Sequence, residues 1–438
     1  MALGGGTFIA QNKVLPGAYI NFVSAARATA SLSDRGVATI PLTLDWGVLG
    51  EVMEVTATDL QKNSLKLFGY DYTAPELRGL RDLFRNTRIA YLYRLGAGGA
   101  KAENEYATAL YEGTRGNDLK VVISENADDA TMMDVSLYMD TSLIIRQTVA
   151  AAADLVENGF VKWKNEALTE TAGTSLIGGT SPVVTNADYQ TYLDRIEAYS
   201  FNVIGCPSGD VAVKNLFAAF TRRLRDMQGV KFQCVTYNFA GDYEGIVDVM
   251  NSAIKGNSDM ATHDWELVYW VTGVVAGTPV NRSALNRVYD GEYTVDVNYT
   301  QMQLEKAISN GKFALHRVGP DVRVLSDVNS LVSVTEDKGE IFKENQTIRV
   351  IDQIANDIAV LFNTKYLGLI PNDADGRISL WSDIVRHHEQ LQTIRAIEDF
   401  SGDDVTVVQG ETKRAVLVTD LITVVNAMAQ LYMVVTVA

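Results

Sequence analysis

FNVIGCPSGDVAVKNLFAAFTRRLRDMQGVKFQCVTYN, residues 201–238, carries one full period of an α/β repeat. FNVIGCPSG is a short apolar run closed by Pro207 and Gly209, the pattern of a buried strand. VAVKNLFAAFTRRLRDMQ spaces its apolar residues for a helix and gathers cations late, near the negative end of the helix dipole. VKFQCVTYN is the next strand. Strand, helix and strand at this spacing predict a parallel, doubly wound sheet.

Working outward, NADYQTYLDRIEAY (186–199) predicts a helix before this repeat, and YEGIVDVMNSAIKG (243–256) another after it. ELVYWVTGVVAG (266–277) is a buried apolar helix that ends at a Gly-Thr-Pro break. FALHRVGPDVRVLSD (313–327) is hairpin-like. Residues 182–330 are therefore expected to form an α/β domain. Upstream, 96–181 changes character: YATALYEG, LKVVISE, DVSLYMD and FVKWKNE are short strands, and TAGTSLIGGTSP closes the zone as a low-complexity loop. An inserted all-β domain is expected there. Residues 29–95 hold GVATIPLTL, the Pro-initiated helix PELRGLRDLFRN and the strand RIAYLYRL, an N-terminal α+β domain.

Residues 331–430 predict a C-terminal α+β domain. Its first helix, TIRVIDQIANDIAVLFNTKYLG, sets Ile351, Ile354, Ile358 and Leu361 on one face. SLWSDIVRHHEQLQTIRAIEDF is the second helix, and DVTVVQG and RAVLVTDLITVV are strands. Two uncharged, extended-looking segments flank everything: 1–28, with PGAYINF, and 431–438, LYMVVTVA.

With 438 residues, 38 Lys+Arg and 54 Asp+Glu, the formal net charge is −16, which argues against a phosphate-binding surface and hence against nucleic acid as a partner. Cys206 and Cys234 form no disulfide framework, so a reducing compartment is expected. MALGGGTFIAQNKV has neither a basic nor an apolar leader region, so no signal peptide is expected. The stretch 415–438 is long enough to span a bilayer, but Asp420, Asn426, Gln430 and its threonines argue against membrane insertion.

The candidate chemical motifs dissolve on inspection. Gly96-Ala97-Gly98-Gly99-Ala100-Lys101 lacks both the Walker spacing and the third glycine of a dinucleotide fingerprint, leaving a domain junction. TAGTSLIGG has Ile177 where a nucleophile elbow around Ser175 needs glycine. His387 and His388 are adjacent, about 100° apart on a helix, whereas a shared metal wants i, i+4. His388 shares a face with Ile384 and Leu391, so a packed or interfacial histidine is expected. His263 and His316 are the other two histidines, and neither pairs with a cysteine motif. The residues thus point to no catalytic, cofactor or metal site. Cys206, at a predicted strand end, stays open as a nucleophile in an alternative reading, a soluble α/β hydrolase-like enzyme with a β accessory domain.

WVTGVVAGTPVNRS (270–283), RVIDQIANDIAVLFNTKYLG (349–368), EGTRGND (112–118), AMAQLYMVVTVA (427–438) and PGAYINF (16–22) together resemble contractile-tail sheath proteins, in particular those of Gram-positive myophages and phage-tail-like bacteriocins. The resemblance spans essentially the whole chain. It implies a subtilisin-like but non-catalytic central domain at 182–330, a β-sandwich insert, and an α+β domain formed by the terminal regions. It further implies hexameric rings stacked in a helical polymer around an inner tail tube. Baseplate and tail terminator proteins are the other implied partners, and contraction drives the tube through the target envelope. Such a protein is made in the bacterial host cytoplasm and works in the tail of a virion or bacteriocin particle.

In sheath proteins the arms donate strands to neighbouring subunits. The resemblance places Tyr19, Ile20, Asn21, Phe22 and Val23 in one arm and Leu431, Tyr432, Met433, Val434, Val435, Thr436 and Val437 in the other. The latter run has no proline and is rich in β-branched residues; alternation puts Leu431, Met433, Val435 and Val437 on a wholly apolar face. About six hydrogen bonds at roughly 1 kcal/mol each would hold such a strand. Gly4-Gly5-Gly6 and the segment near Asn426 are the expected hinges, and a 380–397 helix with Arg386 and Arg395 is the expected tube-facing element.

Overall fold

The computed structural model describes residues 32–254 and 263–437. Residues 33–356, 394–398 and 423–437 belong to one compact unit, and 357–393 with 399–422 to a second.

The first unit opens with β1 (Val37–Leu42), β2 (Val52–Thr56), α1 (Ala57–Phe68), α2 (Arg78–Phe84) and β3 (Ile89–Arg94). Then comes the insert: β4 (Lys101–Glu103), β5 (Ala107–Glu112), β6 (Leu119–Glu125), β7 (Met133–Met139), β8 (Ser142–Val149), β9 (Val161–Trp163) and β10 (Thr171–Ser175). The chain continues through α3 (Asn186–Ile196), β11 (Val203–Gly205), α4 (Val211–Arg222), β12 (Gln233–Tyr237) and β13 (Ile246–Val249). α5 (Leu267–Gly277), α6 (Gln301–Ser309), β14 (Lys312–Val318) and β15 (Asp321–Ser326) follow, leading to α7 (Asn345–Leu361).

Eight strands form one sheet in the order β15-β14-β13-β12-β11-β1-β3-β2. Its neighbours are parallel except at the two margins, where β2 and β15 run antiparallel. Residues 29–95 and 182–330, set apart by the sequence, therefore contribute to one sheet. Period-two alternation sorts the strands between two cores. Ile40, Leu92, Val203, Val235 and Val247 pack with α2 and α5 on one side, while Ile204, Cys234 and Ile246 pack with α3 and α4 on the other. α5 is buried almost all round, which its apolar sequence anticipates. It can lie close to α2 because Gly273 and Gly277, one turn apart, face the backbone of Leu83 and Asn86.

The helix expected over 243–256 is not there in its described part: Ile246–Val249 is a fully buried strand, parallel to β12. Ile246, Val249, Met250 and Ala253 have helical spacing, but the β-branched run pairs with a partner already in place, and only a short loop joins the two strands. Asn238 and Asp242 in that loop take positive φ, of 45° and 42°.

The insert forms a four-stranded antiparallel sheet, β10-β6-β7-β8, and a three-stranded one, β4-β5-β9. Leu119, Val121, Leu137, Val161 and Leu176 fill its core, joined by Trp46 from outside it. TAGTS is a strand, β10, and not a loop, because β6 offers it an edge despite its small residues. Antiparallel bridges Ala97–Val183 and Ala100–Thr180 join the two ends of the insert.

α7 inverts its expected amphipathicity. Asn345, Arg349, Asp352 and Gln353 are buried, whereas Ile351 and Ile354 are half-buried; Leu361 is buried as expected. The buried polar groups meet distant partners. Arg225 holds Asp352 through two hydrogen bonds of 2.6 and 2.8 Å, and Arg349 holds Asp327 at 2.7 Å.

In the second unit, α8 (Ala374–Thr393) packs against a hairpin of β17 (Val405–Gln409) and β18 (Val416–Asp420). The short strand β16 (Ile397–Glu398), counted before this hairpin in the chain, pairs with β19 (Thr423–Val424) in the first unit.

Candidate functional site

The described part of the C-terminal arm begins as a fastened segment and ends as a free one. Gln346 on α7 clamps its root: Gln346 Nε2 donates to Val425 O at 2.9 Å, and Ala427 N donates to Gln346 Oε1 at 3.0 Å. Thr347 Oγ1 donates to Asn426 Oδ1 at 3.2 Å, so the segment expected to hinge is tied down at Asn426. Beyond it, residues 431–437 form no strand and lie in solvent, with Leu431 85% and Val434 93% exposed. An apolar, uncharged run that has no strand partner among the described residues is a surface proteins normally cover. Tyr19, Ile20, Asn21, Phe22, Val23 and Gly4-Gly5-Gly6 lie outside the described residues.

The β17–β18 hairpin is a two-stranded sheet whose outer edges are unpaired among the described residues. It exposes Val408, Leu417 and Val418, with Leu421 just beyond. α8 fixes its base, because Trp381 Nε1 donates to Gly402 O at 3.1 Å and Val405 O at 3.0 Å. Asn372 Nδ2 fixes its turn by donating to Lys413 O and Ala415 O. A two-stranded ribbon is marginal by itself, and this one is both braced and open to further strands.

Arg386 and Arg395 do not share a helix as expected. α8 stops at Thr393, and Arg395 follows with φ +62°. Arg386 is half-exposed on α8, its guanidinium 3.7 Å from Asp383. Asp383 itself is buried and accepts from Tyr366 OH at 2.5 Å and from Lys365.

His387 and His388 are both fully buried. His387 Nε2 lies 2.9 Å from Asp357 Oδ2, and His388 Nε2 lies 2.8 Å from Asp420 Oδ2. No cluster of three metal-ligating side chains occurs among the described residues, and no described helix is long and apolar enough to cross a membrane.

Cys206 and Cys234 are free thiols without exposed surface. Burial pushes the Cys234 thiol up to about 12 and the Cys206 thiol well above its ordinary range, the reverse of what a nucleophile needs. A disulfide reagent such as DTNB is therefore expected to label neither cysteine in the native chain and both after unfolding in guanidinium. Rapid labelling of Cys206 in the native chain would reverse that assignment.

Four domain families match the chain in succession. They are the tail sheath protein Gp18 domain III N-terminal region (35–95), the phage tail sheath protein beta-sandwich domain (97–186), the phage tail sheath protein central domain (183–330) and the phage tail sheath C-terminal domain (337–438). The phage-like element PBSX protein XkdK of Bacillus subtilis strain 168 is 33% identical, over 98% of this chain and 99% of its own. A crystal structure of a sheath tail protein from Desulfitobacterium hafniense superposes with a TM-score of 0.80 at 38% identity, covering 90% of this chain and 93% of that one. The helical sheath of the anti-feeding prophage in its contracted state shares the fold, with a TM-score of 0.60 at 13% identity over 96% of this chain and 98% of that one. With matches running from residue 35 to the last and a one-third-identical relative spanning both chains, this chain belongs to the phage tail sheath family, whose members are structural proteins and not enzymes.

Proposed function

We propose that this chain is the repeating subunit of a contractile sheath. Hexameric rings stack around an inner tail tube, and contraction drives the tube through the target envelope. The observation that supports this reading is the exposed, uncharged run 431–437, which has no strand partner among the described residues. Its apolar face, Leu431, Met433, Val435 and Val437, adds to the open edge of a neighbour's β17–β18 hairpin, and 19–23 acts likewise from the other end. Backbone pairing links subunits without fixing the angle between their bodies, which is what rotating and sliding rings require. The anti-feeding prophage sheath, captured contracted in a helical array, shares this fold and supports the reading of contraction.

The parallel sheet with helices on both faces supports a subtilisin-like central domain. Division of the chain at 28, 95, 181, 330 and 430 is retained as a proposal, with 29–95 and 182–330 sharing that sheet. Arg386, exposed on α8, is the preferred tube-facing cation, and Arg395 belongs to a separate turn. Baseplate and tail terminator proteins cap the polymer, which is made in the host cytoplasm and works in a virion or bacteriocin tail.

Negative-stain microscopy of the full-length chain beside a version ending at Gln430, each with and without tube protein, tests this. Tubes or stacked rings from the full-length chain alone are expected. Tubes from both would move the linkage away from 431–437. Discrete particles from the full-length chain even with tube protein would sink the proposal.

A further inference from the structure

We propose that Gln346 and Thr347, in the first turn of α7, set the direction in which the C-terminal arm leaves the body, so that the arm bends at 428–430. The hydrogen bonds at its root carry this. One side-chain amide grips the arm at two points: Gln346 Nε2 donates to Val425 O at 2.9 Å, and Gln346 Oε1 accepts from Ala427 N at 3.0 Å. A carbonyl and the N–H two residues on are groups that a neighbouring strand would engage, and the amide stands in for one. Thr347 Oγ1 donates to the side chain of the residue between them, Asn426, at 3.2 Å. Gln346 and Thr347 are both buried, so neither is free to follow a moving arm.

The amide is itself held from the sheet. Its neighbour Asn345 accepts from Gln233 Nε2, on β12, at 2.9 Å. Asn345 Nδ2 donates to Asp327 Oδ1, just past β15, at 3.0 Å, and Asn345 N donates to Asp327 O at 3.0 Å. Asp327 in turn holds Arg349, one turn further along α7. Upstream of the clamp, β19 pairs with β16, and Val425 N donates to Ala396 O at 3.1 Å.

Val425, Asn426 and Ala427 are thus fixed to side chains that are fixed to the eight-stranded sheet. The next residue differs. Met428 is 100% exposed, and from there to Val437 no hydrogen bond joins the arm to the body among the described residues. Bending falls on the first residues beyond the clamp, Met428, Ala429 and Gln430, none of them proline or β-branched.

The consequence for the polymer rests on the reading that 431–437 links subunits. On that reading the clamp pre-orients the strand that a neighbour captures, and a pull on the arm reaches α7 and the sheet. An arm freed at its root would present its strand in the right direction less often. Capture then weakens in proportion to the competent fraction.

The test has two parts. Cys206 and Cys234 have no exposed surface, so a nitroxide can be placed on a single introduced thiol, Ala427→Cys or Thr436→Cys, in unassembled chain. The label at 427 is expected to move slowly and the label at 436 fast. Gln346→Met removes both bonds at similar volume and should make 427 as mobile as 436. Gln346→Glu keeps an acceptor for Ala427 N, at a helix N-terminus that favours a carboxylate, and should leave 427 slow. Thr347→Val removes the hydroxyl at constant volume and should loosen 427 in the same direction; it serves if Gln346→Met does not fold.

Tube formation by unlabelled chains is then followed by microscopy at rising concentration. Gln346→Met should need roughly five to thirty times the concentration of the unsubstituted chain, the worth of one to two hydrogen bonds. Equal mobility at 427 and 436 without the substitution, a slow 427 label in Gln346→Met, or tubes from Gln346→Met at the original concentration would each overturn the proposal. Absence of tubes from the unsubstituted chain would count against the sheath reading instead, and the label would still decide whether the root is clamped.

Discussion

Arg349→Met lowers the stability of the chain by about 3–5 kcal/mol, read as a fall in the denaturant midpoint. The guanidinium has no exposed surface, and its Nη2 donates to Asp327 Oδ2 at 2.7 Å and to Arg282 O at 3.0 Å. Asp327 also accepts from Ala284 N at 2.8 Å, Ser283 Oγ at 3.0 Å and Asn345 Nδ2 at 3.0 Å. Methionine fills most of the volume but leaves a buried carboxylate without its countercharge. Burial alone would raise the Asp327 carboxyl; the charge of Arg349 and these hydrogen bonds outweigh it and hold the group below its ordinary range. A carboxyl depressed in the folded state stabilises the fold above its unfolded value and loses that contribution as pH falls through the folded one. The intact chain should therefore weaken on acidification below about pH 4 through this group, and the variant should lack that step. Adding Asp327→Asn to Arg349→Met should recover much of the loss. A loss below about 1 kcal/mol for the single variant, typical of exposed pairs, would mean that the pair is solvated.

The second large effect is steric. A Cβ on Gly277 would stand 1.8 Å from Asn86 O, and one on Gly273 2.4 Å from Leu83 O. Both obstacles are backbone, so no side chain can swing away and α5 must separate from α2. Gly277→Ala is expected to destabilise by about 3 kcal/mol, although alanine is the better helix former. Gly339→Ala, where a Cβ would meet nothing within 4 Å, is the matched control and should change little. Equal midpoints for the two variants would show that the helices yield freely.

What the sequence disclosed, and what it hid, follows the range of the interactions involved. Local signals were enough for the 201–238 repeat, the apolar helix at 267–277 and the hairpin at 312–326, because each carries its own pattern of turn residues and periodicity. Ile246–Val249 was misread because its spacing fits a helix as well as a strand, and only pairing with β12 and β14 decides between them. α7 was misread for a related reason. An isoleucine stripe looks like the buried face until Asp327 and Arg225, from distant segments, claim Arg349 and Asp352. β8 sets a Leu-Ile-Ile run beside polar Arg146, Gln147 and Thr148 and so gives no clean period-two signal, and β10 is too small and glycine-containing to signal a strand without its neighbour β6. At the candidate site, composition alone marked 431–437 as anomalous. The burial of His387 and His388 became intelligible only once Asp357 and Asp420 were placed beside them.

The ladder between Ala97–Ala100 and Thr180–Val183 has a bearing on how such a chain changes over generations. Ala100 and Thr180 exchange backbone hydrogen bonds of 3.0 and 3.1 Å, so the chain leaves and rejoins the larger body at adjacent points. Whatever lies between them is a detour that returns to its origin, and the strands before and after it keep their register regardless of its length. The detour can grow, shrink or be exchanged for another module with neighbouring ends while the parallel sheet remains under separate constraint. Change within the insert is thereby decoupled from the parallel sheet that it interrupts.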